Sequence, residues 1–95
     1  MIYAHFIEYP RFKELVHLLQ SQFAQVQWGS QCDDWIWITH GTMKVAIDNF
    51  WSQSLQIKAA PASKPLLDRV IQAIDEHYRL AIIDPPELEP HESPS

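Results

Sequence analysis

Glycine is scarce in this chain: only Gly29 and Gly41 occur among 95 residues. A loop that cradles phosphate needs several glycines, so nucleotide binding through such a loop is excluded. Cysteine is scarcer. Cys32 has no second cysteine to form a disulfide or a CxxC pair, as expected of a protein from a reducing compartment. No apolar run approaches the ~20 residues of a membrane-spanning helix. The start, MIYAHFIEYP, lacks the basic residues and continuous apolar run of an export signal, so a cytoplasmic location is expected. Basic residues never cluster; Arg11 and Lys13 are the nearest pair. Nucleic-acid binding needs several cations on one face, so it is not expected.

What is present is apolar and aromatic. Hydrophobic residues make up 46% of the chain, with four Trp, four Phe and three Tyr. That suffices for one core, and a chain of this length is one domain. The net charge of −5 is unevenly placed. Asp84, Glu87, Glu89 and Glu92 fall in the last twelve residues, which hold no Lys or Arg, so the body is nearly neutral.

The segment DDWIWITHGTMKVAIDNFWSQSLQIK, residues 33–58, reads as three strands in series. Trp35 to Thr39 sends large side chains to both faces, and His40-Gly41 breaks it. Met43, Val45 and Ile47 then alternate with Lys44, Ala46 and Asp48, the period of a half-buried strand. Leu55 and Ile57 repeat the pattern. Upstream, residues 2–9 read as a first strand with two apolar faces. Pro10 fits a helix start. Phe12, Leu15, Val16, Leu19 and Phe23 then form one helical stripe. Ala24 to Trp28 reads as a further strand. After a linker at Ala59 to Ser63, with Ser63 as the expected N-cap, Leu67, Val70, Ile71, Ile74 and Tyr78 form a second stripe. Leu80 to Ile83 can add a short extended segment.

The order is β-α-β-β-β-β-α. Two helices on one face of a mainly antiparallel sheet satisfy the apolar stripes and sides, giving an α+β two-layer sandwich. The element order resembles that of the TATA-binding-protein repeats; a ferredoxin-like arrangement is the alternative. The domain is expected to span residues 1–83. Residues 84–95, DPPELEPHESPS, are rich in proline and acid and are expected to form a disordered tail.

The second face of the sheet is the main candidate site. If Ile36 and Ile38 face the helices, then Trp35, Trp37 and Thr39 point away from them, beside Lys44, Asp48, Gln56 and Lys58. Tryptophan is enriched at binding hot spots, and a homodimer closing sheet on sheet would cover both indoles. The candidate interface is therefore Trp35, Trp37, Thr39, Lys44 and Lys58. A register shifted by one residue would instead bury the two Trp and expose the two Ile. Lys stems can also lie over the indoles. Phe50 and Trp51 sit between two strands. The structural expectation, which is preferred, is that they fold back over the core or bracket a β-bulge; the functional one is an exposed aromatic tip.

Candidates for chemistry carry less. Cys32 stands beside Asp33 and Asp34, whereas a reactive thiolate needs a nearby cation, metal or helix N-terminus. No two of His5, His17, His40, His77 and His91 have the i, i+4 spacing of a helical zinc pair. His40 with Asp33 or Asp34 is the one pairing that could meet across a hairpin. Asp75, Glu76 and His77 point about 100° apart on a helix and read as a solvated face. No GxSxG, P-loop or dinucleotide motif occurs. No catalytic residue, metal or cofactor is assigned.

The meander DxWIWIxxGxMKVAIDNFWS, with the proline-initiated helix after it, resembles small gammaproteobacterial proteins grouped as a domain of unknown function. The resemblance covers about residues 1–80 and implies a small bacterial cytoplasmic protein. It transfers no functional residue. Three functions remain as expectations. The first is a non-enzymatic protein-interaction module, homodimeric or bound to another protein. The second is a small-molecule-binding or enzymatic domain with a pocket lined by Trp28, Tyr78 and a histidine. The third is an acidic inhibitor or antitoxin-like protein, which needs an acidic patch on the body.

Overall fold

A computed structural model describes residues 1–89. Six strands and two helices follow one another: β1 (Ile2–Phe6), α1 (Phe12–Gln22), β2 (Val26–Gly29), β3 (Trp35–His40), β4 (Met43–Asp48), β5 (Gln56–Ala59), a 3-10 turn at Pro61–Ser63, α2 (Lys64–Asp75) and β6 (Leu80–Glu87). The sheet order is β2-β3-β4-β5-β1-β6, and every pairing is antiparallel. This is the expected α+β two-layer sandwich with a sixth strand added. Four consecutive strands between the helices rule out the ferredoxin-like alternative.

The strand periods decide which face packs. Ile36, Ile38, Val45, Ile47 and Ile57 point to the helices and are fully or almost fully buried. They meet Leu15, Val16 and Leu19 of α1 and Leu66, Leu67, Val70 and Ile74 of α2 in one core. Gly41 has φ of +61° and, with Thr42, makes the two-residue turn between His40 and Met43. A glycine at the first central position is what a II′ hairpin turn needs.

Several boundaries differ from expectation. β1 stops at Phe6, and Tyr9 leaves the sheet. Pro10 precedes α1 by two residues, with Arg11 at the N-cap position. α2 ends at Asp75, so Tyr78 lies beyond it and packs edge-on against Phe6, the ring centroids 5.7 Å apart. Ser63 holds the N-cap position but makes no capping bond. Its hydroxyl instead accepts the Lys44 backbone N–H at 3.0 Å. It supplies the acceptor where β5 has turned away from β4.

The largest correction concerns the expected tail. β6 continues through Asp84, Pro85 and Pro86 to Glu87. It pairs with β1 at Leu80, Ala81 and Ile82, departs from the ladder, and returns with Glu87 opposite Ile2. Proline is tolerated here because β6 is an edge strand and a bulged one. Residues 90–95 of the expected tail lie outside the described residues.

Candidate functional site

Cross-strand partners share a face of the sheet, so the register defines the helix-free surface. One row runs Gly29, Trp35, Asp48, Gln56, His5, Ala81. The next runs Gln27, Trp37, Ala46, Lys58, Ile2, Glu87. Thr39 and Lys44 form a third pair. The surface therefore carries the indoles, as the sequence pattern implies. The shifted register that would have buried them is not adopted, because Ile36 and Ile38 are buried in the core.

The two indoles lie against each other, their ring centroids 4.7 Å apart at 44°. Two further contacts hold them. The Lys44 ammonium stands 3.8 Å from the ring centroid of Trp37, a cation–π geometry. The Trp35 indole covers Gly29 so closely that a Cβ there would lie 2.6 Å from Trp35 Nε1. Both tryptophans are half-buried by these neighbours. Thr39 donates its hydroxyl to Gln25 Oε1 at 3.0 Å, fastening the edge strand.

Phe50 and Trp51 follow β4 and are 45% and 57% exposed. They do not fold back over the core as preferred from the sequence; the loop holds both rings at the surface. Phe50 joins Trp35 in lining a cleft with Cys32 and Asp33. The aromatic surface thus continues from the sheet onto the loop.

The other half of this face is charged. Lys58 was expected among the contact residues but is buried. Its ammonium donates to Asp48 Oδ1 at 2.6 Å and lies 2.9 Å from Glu89 Oε1. The side chains of Lys58 and Asp48 are each 5% exposed. Burying charges is costly unless they are paired; here one cation lies between two carboxylates. A bulge in β1 between Ile2 and Ala4 sets Ile2 opposite Lys58. Beside this group Gln56 Oε1 is buried, with no hydrogen-bond partner among the described residues.

A third cluster ties the loops at the start of β3. The Tyr9 hydroxyl donates to Asp34 Oδ2 and accepts from Asn49 Nδ2 at 3.1 Å. Asn49 Oδ1 in turn accepts the Asp34 backbone N–H at 3.0 Å. Burial, then the Asp34 hydrogen bond and charge, push the Tyr9 phenol well above its usual range.

The remaining candidates do not converge. His40 is at the hairpin end of β3, and Asp33 and Asp34 are at its other end. Among the described residues no group of three His, Cys, Asp or Glu could hold a metal ion. Trp28 packs edge-on against Phe12, at 6.0 Å, whereas Tyr78 packs against Phe6. The two rings thus have different packing partners. The acids of the body are dispersed: Asp34 meets Tyr9, Asp48 meets Lys58 and Asp68 meets Lys64. No helix among the described residues is long and apolar enough to cross a membrane.

No family model, curated protein or solved structure matches the chain.

Proposed function

We propose that this protein is a non-enzymatic interaction module whose contact surface is the aromatic half of the helix-free sheet face. The partner we infer is a second copy closing sheet on sheet about a twofold axis. The observation that carries this reading is the contacting pair Trp35 and Trp37 on a face with no helix over it. Lys44 and Thr39 border the pair, and Phe50 extends it. Large aromatics braced by their neighbours lose little conformational freedom on contact, which is why such residues serve as anchors. An isologous contact uses the same patch twice and needs no second protein.

Light scattering after size exclusion tests the reading, on the wild type and a Trp35→Ser/Trp37→Ser variant. The expected outcome is a dimer for the wild type and a folded monomer for the variant. A wild type that stays monomeric at high concentration, or a variant that dimerises equally well, refutes it.

A further inference from the structure

The break in the β1–β6 ladder builds a cleft on the helix side of the sheet. Ile82 pairs with Ala4, and Glu87 pairs with Ile2. Tyr3 alone on β1 is thus opposed by the whole stretch from Ile83 to Pro86 on β6. An ordinary bulge sets two residues against one, so surplus chain is left to arch beside α2. Pro85 and Pro86 lie in this arch, where their missing N–H groups break no ladder bond. Arch and helix border a cleft of about 310 Å³, near the lower end for small-molecule sites. Leu67 and Ile71 line it from α2, and Tyr3, Ile82, Ile83 and Pro86 line it from the sheet edge. Ile82 keeps 59% of its surface exposed although its neighbours there are apolar.

Three charged residues border this cleft: Lys64, Asp68 and Asp84. The Lys64 ammonium donates to Asp68 Oδ1 at 2.6 Å, one turn along α2, and these two charges cancel. The Asp84 carboxylate has no hydrogen bond or ion pair among the described residues. The charge left over is therefore negative. The Lys64 pKa is raised, first by the Asp68 hydrogen bond and also by the nearby charges of Tyr3 and Asp84, which agrees with an acidic border. We infer that the cleft between α2 and β6 binds a small organic ammonium, its apolar body between Ile71 and Ile82 and its charged head at Asp84. A carboxylate ligand would meet Asp84 as a like charge. A hydrated inorganic cation would leave the apolar lining unused. The cleft and the Trp35–Trp37 pair lie on opposite sides of the sheet, so this site and the dimer contact fail on different results.

The test titrates the full chain with 2-phenylethylammonium and follows backbone amide shifts by NMR. Saturable shifts are expected at Leu67, Ile71 and Ile83, with the millimolar affinity proper to so small a ligand. The uncharged analogue 2-phenylethanol should bind about fivefold more weakly, and 3-phenylpropionate more weakly still. Those comparisons change only the ligand, so a folding defect cannot imitate them. Asp84→Asn should weaken the ammonium about fivefold. Asp75→Asn, which removes the same charge from an exposed site at the end of α2, should leave its affinity unchanged. Ile82→Ser should weaken the ammonium and the alcohol alike, because both lose the same apolar contact. Ile82 and Asp84 are exposed, and well-dispersed amide spectra establish the fold of each variant. Equal affinity for ammonium and carboxylate, equal affinity of wild type and Asp84→Asn, shifts centred elsewhere, or no saturable shift at millimolar concentration overturns the inference.

Discussion

Gly29 lies directly beneath the indole of Trp35. The strand register sets the two opposite each other, and a Cβ on Gly29 would stand 2.6 Å from Trp35 Nε1 and 2.8 Å from Cε2. The glycine thus has a packing role and no special backbone angle: among the described residues φ is positive only at Gly41. It lets Trp35 lie over the sheet edge and meet Trp37.

Gly29→Ala should therefore lift the Trp35 indole off the sheet. The expected cost is about 1–3 kcal/mol in urea unfolding, as for other overpacked sites. Near-ultraviolet circular dichroism should lose the signal of the two coupled indoles. An unchanged spectrum would show that the ring does not rest there.

Lys58 should matter for stability more than its sequence neighbourhood suggests. Lys58→Met removes the cation and leaves the Asp48 carboxylate buried at 5% exposure. Breaking a buried pair from one side costs about 3 kcal/mol or more. Adding Asp48→Asn should recover much of that loss, because the more deeply buried of the two carboxylates is then neutral. Denaturant unfolding of the single and double variants checks both statements. If the single change costs nothing, Asp48 and Lys58 do not form a buried pair.

Alkaline pH should weaken the fold through Tyr9. Burial and Asp34 hold its folded pKa above the unfolded value of 10.0. Above about pH 10 the unfolded chain releases a phenol proton that the folded chain retains. Stability is therefore constant with respect to this group below that pH and falls as pH rises through it. Tyr78, raised mainly by burial, adds in the same direction. Tyr9→Phe should flatten the alkaline limb of a stability-against-pH curve. It should also remove one late-titrating phenol from the absorbance at 295 nm. A limb of unchanged slope would contradict the assignment.

Much of this architecture was legible from periodicity. Alternation at Met43 to Asp48 and the stripes from Phe12 and Leu67 fixed which faces meet, and thereby which face Trp35 and Trp37 occupy. The extension of β6 beyond Ile83 was not legible because its pairing is discontinuous. Asp84, Pro85 and Pro86 carry no alternation and read as a breaker, yet an edge strand tolerates them in a bulge. The Lys58 cluster was hidden for a related reason. Lys58 and Glu89 are distant in the chain, and the one-residue bulge in β1 leaves no local signal. Phe50 and Trp51 misled in the opposite direction: aromatic character suggested burial, whereas the loop holds them outward.

The central claim is that the face bearing Trp35 and Trp37 joins two copies of the chain. The most direct measurement follows the indole N–H resonances of the tryptophans by NMR across a concentration series, with mass recorded on the same samples. The account predicts that the Trp35 and Trp37 resonances move as the mass doubles, while that of Trp28, on the helix side of the sheet, stays fixed. A doubled mass with Trp35 and Trp37 unmoved, or a monomer at every concentration, would contradict it.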